Sequence, residues 1–314
     1  MYLSKRLKIF LISLLIIFFN IQNLSSLENK ILFKIENEII TTIDIYEEIN
    51  FLKTFNPETK NLSESELFEI SKNSILRDKI KKIEIMNYVQ ELKVDKNFLS
   101  RFIKNKYSKI GIDSLENFEK YLKKNNLNID VIKEKFIIEL IWNDIIYQKF
   151  KKKIIIDREK IREEILQNSE NKLQRELLLL EINFEANNKA DFKKKYEQIL
   201  LDIDKIGFKK SAMIHSTSET ASDGGSIGWV KEDNLNISLK KIISKYKIGE
   251  ISQPVRTSSG FIILKIEDER EYVPKLNLAN KVEEIVRFKT NDQLNQFSSM
   301  YFNKIKKNLI IYGL

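Results

Sequence analysis

The chain has no cysteine, three prolines, eight glycines and one histidine in 314 residues. Without cysteine there can be no disulfide, thiolate metal site or thiol nucleophile, and the compartment stays open, because an oxidising space permits disulfides without requiring them. Scarce Gly and Pro remove the punctuation that a many-turned β-sandwich needs and favour long helices. There is no HExxH, no Walker A loop, no Cys/His spacing and no Ser/His/Asp set, so neither a metal nor a cofactor is expected.

What is present is charge and aliphatic bulk: 42% apolar and 32% charged residues, with a net charge of +9. Such an excess can mark a nucleic-acid binder. Here lysine is spread beside Glu and Asp, as on solvated helix faces, and no aromatics interleave with basic residues as a base-stacking platform would require. Nucleic acid is therefore not an expected partner. Three of the nine charges, Lys5, Arg6 and Lys8, precede the apolar run Ile9–Phe19. As a helix this run is about 16 Å long, roughly half a bilayer core, which suits a signal-peptide h-region better than a span. Residues 1–26 are read as an export signal cut near Ser26, with an uncleaved anchor as the alternative. The mature chain is then expected in the periplasm with no stable membrane span.

After this segment, Ile31–Ile35 and Ile39–Thr41 flank Glu36-Asn37-Glu38 as a hairpin, and Thr42 is expected to cap a helix. Ser63-Glu64-Ser65-Glu66 is a capping box that opens a long helix with the apolar stripe Leu67, Ile70, Leu76, Ile80, Ile83 and Met86. Asp95, Asp113 and Asn128 are further expected caps, and Asp157 begins a short helix. From Gln174 the texture changes: a strand at 177–184, a helix at 188–206, a Ser/Thr/Asp/Gly-rich loop at 216–228, another helix, and a strand at 260–267. A long helix follows from about Leu278 to Lys306, then a short strand candidate, Leu309–Tyr312. The fold class is α+β.

One constellation is specific. Gly224-Gly225-Ser226-Ile227-Gly228-Trp229 is followed by Gly249-Glu250-Ile251-Ser252-Gln253-Pro254, then by Gly260-Phe261-Ile262-Ile263-Leu264-Lys265. With His215-Ser216-Thr217 ahead of it, this resembles the parvulin (PpiC) family of peptidyl-prolyl isomerases over roughly residues 174–270. The signal segment, the strand pair, the run Ile75–Ile80 and the C-terminal helix resemble SurA-type periplasmic chaperones, here with one parvulin unit. The resemblance implies a signal peptide (1–26), an N-terminal helical chaperone domain (27–170), a parvulin-like domain with a small antiparallel sheet flanked by helices (171–270), and a C-terminal segment (271–314) packed on the N-terminal domain. The implied partners are unfolded or extended envelope polypeptides.

The same resemblance implies a site. Parvulins place a His on the first strand, a Cys or Asp after it and a second His on the last strand, above an apolar slot. Here those positions hold Glu181, Thr217 or Ser218, and Ile262. Glu181 and Ser218 stand as the candidate catalytic positions, Leu235, Leu239, Ile262 and Phe261 as the peptide-binding residues, and Gly224, Gly225 and Gly228 as the structural loop. Crossing the 18–20 kcal/mol barrier of an X–Pro bond needs groups that favour the twisted amide. With both imidazoles replaced, isomerase activity is expected to be weak or absent and peptide binding retained. An active isomerase, and a docking protein built on an inactive parvulin unit, are the alternatives.

Overall fold

The computed structural model describes residues 29–167, 174–235, 237–272 and 278–313. The expected signal segment lies outside them. Among the described residues no helix is long and apolar enough to cross a membrane.

Strands β1 (Ile31–Ile35) and β2 (Glu38–Thr41) form the expected hairpin. The helix after it, α1 (Thr42–Phe55), is capped one residue earlier than expected. Thr41, not Thr42, accepts from the Asp44 N–H, and Asp44 reaches back to the Thr41 N–H at 2.7 Å. The Ser63/Glu66 box opens α2 (Glu64–Ile85), and burial of Leu67, Ile70, Leu76 and Ile80 follows the expected stripe. Met86 departs from it, because it follows the last helical turn and is 44% exposed. Asp95 caps α3 (Lys96–Tyr107), whereas α4 (Leu115–Lys124) is capped by Ser114 while Asp113 holds the Asn117 side chain. Asn128 caps α5 (Ile129–Phe150), and Asp157 accepts from Lys160 at the start of α6 (Arg158–Gln167).

Ile161 and Ile165 of α6 pack with Ile285 in a third apolar core, while helices α1–α5 share two. One gathers Phe51, Leu67, Ile103, Tyr107, Phe118 and Phe136. The other joins Ile35 and Ile40 of the hairpin to Ile80, Trp142 and Ile146, and takes Phe302 from the C-terminal helix. At its centre the Trp142 indole N–H donates to Ser298 Oγ at 2.8 Å. The chain's end therefore returns to its beginning.

The region from Gln174 holds a four-stranded antiparallel sheet, not the two strands expected. Strand β3 (Gln174–Phe184) is followed by α7 (Lys189–Ile206), α8 (Phe208–His215), β4 (Ser226–Lys231), α9 (Ile237–Ile243), β5 (Val255–Thr257) and β6 (Gly260–Tyr272). The strand order is β4-β3-β6-β5. β4 emerges from what reads in sequence as loop, because its Ser and Gly content hides a strand that pairs with Leu177–Leu180. β6 extends five residues past the expected end to pair with Gln174–Leu178. The last helix, α10 (Leu278–Asn308), leads to β7 (Ile311–Tyr312), which pairs with β1 and completes the sheet β2-β1-β7.

Candidate functional site

Strand alternation sorts the site residues onto two faces of the β4-β3-β6-β5 sheet. Leu180, Ile182 and Phe184 face α7 and α8, where Ile199, Phe208 and Ala212 pack against them. Leu177 and Leu179 face the other way, with Val230, Ile262, Leu264, Leu235 and Ile243, and Leu239 packs against this group. Three of the four expected slot residues, Leu235, Leu239 and Ile262, thus meet on one face. Phe261 does not. Next to Ile262 in an extended strand it must point to the opposite side, where it stacks on Phe184 at 5.6 Å and meets Phe192 at 4.5 Å.

Glu181 and Asn183 are aligned with Leu264 and Ile262 of β6. The half-buried Glu181 carboxylate is paired with hydroxyl and amide groups and, among the described residues, with no lysine, contrary to the ordinary expectation for a strand acid. It accepts from Thr220 Oγ1 at 2.8 Å and from Asn183 Nδ2 at 3.0 Å. Thr220 and Ser218 share a hydroxyl hydrogen bond of 2.7 Å, and Ser218 and Ser216 another of 2.8 Å. Glu181 and Ser218 are therefore joined through Thr220 in one hydroxyl relay that continues to Ser216. Sequence reasoning missed Thr220; the Ser/Thr richness of 216–220 was the only signal. Thr217, the alternative to Ser218, bonds instead through its backbone N–H to the Asn183 carbonyl at 2.8 Å.

Burial pushes the Glu181 carboxyl above the usual carboxylate range, and the charge of Asp292 on α10 adds to that, while the bonds from Thr220, Asn183 and Ser218 work against it. The sign of the stability effect follows. An acid whose pKa is raised on folding destabilises the native state as pH rises from the ordinary carboxylate range through the raised value. Glu181→Gln, which keeps an acceptor for Thr220 without the charge, is expected to raise the urea midpoint at pH 8 and to leave it unchanged at pH 4.

The glycine loop sets this geometry. Gly224 (φ +69) ends the tight turn Glu219–Asp223. Gly225 (φ +76) lies so close to β3 that the Glu181 N–H donates to its carbonyl at 2.8 Å. Gly228 lies within β4 opposite Leu179. His215 is the last residue of α8, not a loop residue, with Nε2 2.6 Å from Asp202 of α7, remote from the slot face.

Residues of the helical cores hold the relay loop from behind. Arg77 donates to the Ser216 carbonyl at 3.0 Å and the Ser218 carbonyl at 3.3 Å. Asn73 donates to the Ile214 carbonyl and Asn56 to that of Ser222. Lys81, almost fully buried, donates to Glu219 at 2.5 Å, and Ser298 donates to the other Glu219 oxygen at 2.8 Å. Burial alone would push Glu219 up, but Lys81, with Arg77 and Ser298 beside it, holds it below the usual carboxylate range.

A protein-family profile described as Rotamase, PPIC-type PPIASE domain, matches residues 177–268, the span of this sheet and its helices. These residues are a PpiC-type rotamase domain. Chaperone SurA of Pseudomonas putida is 31% identical over 169 residues, covering 50% of this chain and 39% of that protein, a match longer than the rotamase domain itself. Foldase protein PrsA of Bacillus subtilis is 36% identical over 86 residues, covering 27% of this chain and 29% of that one. A SurA-like chaperone structure from Campylobacter jejuni aligns over 91% of this chain and 99% of its own at 16% identity and a TM-score of 0.37. The chain is similar to SurA over half of its own length and spans about two fifths of the length of that Pseudomonas putida relative. Within the rotamase domain Leu235, Leu239 and Ile262 belong to one apolar cluster, and Glu181 and Ile262 are the residues that the resemblance aligns with the two histidines.

Proposed function

We propose that this chain is a periplasmic chaperone that holds unfolded envelope polypeptides, with a rotamase domain that binds extended peptide and turns over X–Pro bonds weakly or not at all. The observation that carries this is the make-up of the slot face. Leu235, Leu239 and Ile262 gather over β3 and β6, and the polar group beside them is a carboxyl bonded to Thr220 instead of an imidazole. An apolar slot retains affinity for a proline ring through burial. Selective stabilisation of the twisted amide requires polar groups matched to it, and the imidazoles that supply them in parvulins are replaced here. In this reading residues 1–26 direct export, residues 27–170 and 271–314 form one helical module, and residues 171–270 are the domain inserted in it.

Two assays test the proposal together. An NMR exchange measurement on a proline tetrapeptide is expected to show little acceleration. The same preparation is expected to suppress aggregation of several unfolded outer-membrane β-barrel proteins at near-stoichiometric ratios. Turnover comparable to an active parvulin, abolished by Leu239→Ala, would favour the enzyme reading, for which the Glu181–Thr220–Ser218 relay is the supporting observation. Failure with all of several unrelated clients would favour a docking protein with one dedicated partner.

A further inference from the structure

One stripe of α10 meets the rotamase domain at successive points around its slot. Lys281, Glu284, Phe288, Asp292 and Gln296 recur at spacings of three or four residues and so share one side of the helix. Lys281 donates to Asp233 at 3.3 Å, and Glu284 accepts from Lys231 at 2.6 Å and from Asn234 at 3.3 Å, all at the end of β4 just before Leu235. One turn on, Phe288 packs against the cluster that contains Leu235, Ile262 and Leu264. Asp292 follows, its charge acting on Glu181. Gln296 then accepts from Ser258 in the turn between β5 and β6 at 2.8 Å. The helix thus touches the domain from the end of β4 to the β5–β6 turn, with an aromatic ring on the apolar group between these points.

We propose that the first half of α10 is a tethered lid on the rotamase slot, with Phe288 as its plug, and that peptide reaches the slot only when this half lifts away. The inference rests on the reading of Leu235, Leu239 and Ile262 as a peptide slot. One feature works against the ion pairs that close this contact: among the described residues Asn234 Oδ1 is buried without a hydrogen-bond partner. The first half of α10 is also packed on α6, where Ile285 is buried with Ile161 and Ile165 and Glu283 pairs with Arg158, so these two helices lift together, while the second half is held by Phe302 in the core that contains Trp142 and by Ser298 on Glu219.

The test uses a fluorescently labelled proline tetrapeptide and the full chain. Where a closed state masks a site, apparent affinity falls by the open fraction, so removing the plug with Phe288→Ala is expected to tighten binding by about tenfold. Because the chain lacks cysteine, Asn234→Cys/Glu284→Cys can be joined by a short bismaleimide; the joined form is expected to bind at least about tenfold more weakly than the same variant unjoined. Equal affinities in both comparisons, with binding still lost on Leu239→Glu, would overturn the lid and leave the slot reading standing. Binding indifferent to Leu239→Glu would overturn the slot and the lid with it.

Discussion

Gly225→Ala is expected to destabilise the rotamase domain by about 2–5 kcal/mol, against about 1–2 kcal/mol for Gly228→Ala, although both glycines belong to one motif and both have positive φ. At Gly225 (φ +76) an added Cβ would lie 2.1 Å from the Glu181 carbonyl oxygen and 3.0 Å from Ala212 Cβ. The first of these is backbone in a central strand, which cannot yield by a side-chain rotation. The strain of a left-handed Ala, about 1–2 kcal/mol, is then added to an overpacking cost of about 1–3 kcal/mol. At Gly228 (φ +88) the same Cβ meets nothing within 4 Å, so only the backbone strain remains. Urea unfolding followed by the fluorescence of Trp229, on β4 itself, separates the two variants. Equal losses would mean that close approach to β3 is not what the double glycine provides. The Gly225 variant should also displace Thr220 from Glu181, since the Gly225 N–H donates to the Thr220 carbonyl at 2.8 Å.

Lys81→Ala is expected to cost about 3–5 kcal/mol, the scale seen when one partner of a buried ion pair is removed and the other is stranded. The Lys81 side chain is 4% exposed, its ammonium lies 2.5 Å from Glu219 and 5.5 Å from the centre of the Trp142 ring. The loss should be largely recovered in Lys81→Met/Glu219→Gln, where no charge is left uncompensated and the glutamine can still accept from Ser298. Denaturant midpoints of the single and double variants decide this. A double variant as unstable as the single one would show that the destabilisation comes from lost packing on Trp142. Because Glu219 opens the turn that carries Thr220 and the two glycines, the single variant should also speed hydrogen exchange at Ser218–Gly225 relative to β3.

Both predictions concern the same junction, where the relay loop of the rotamase domain is held by α2 and α10. Arg77, Lys81 and Ser298 all act on residues 216–219, and the lid stripe of α10 begins fewer than twenty residues before Ser298. In the proposed lid, a client that lifts the first half of α10 pulls on a helix that also clamps the loop behind Glu181, which would link slot access to relay geometry through one helix.

Much of the architecture was legible because it is written in local chemistry. The Ser63/Glu66 box, the Asp95 and Asn128 caps, the hairpin around Glu36-Asn37 and the long last helix follow from side chains acting within four residues of themselves. The two-glycine motif and its spacing to Gly260-Phe261-Ile262 pointed to the rotamase domain, and Leu235, Leu239 and Ile262 do share one group. Errors of one residue, Thr42 for Thr41 and Asp113 for Ser114, arose where two capping residues adjoin and only the backbone turn chooses between them.

What the sequence by itself determined is the set of elements and their local chemistry: caps, stripes and turns, with a glycine motif whose resemblance aligns Glu181 and Ile262 with two histidines. What only the tertiary structure decided is which surfaces meet. Phe261 was assigned to the slot and lies on the opposite face, β4 was hidden in a polar loop, Thr220 joined Glu181 to Ser218, and Phe288 arrived on the slot from more than twenty residues beyond it. The physical reason is range. Capping and periodicity act over one helical turn or one strand pair, whereas the enclosure of Glu181 and the seating of Phe288 depend on segments far apart in the chain brought together by burial of the helical cores.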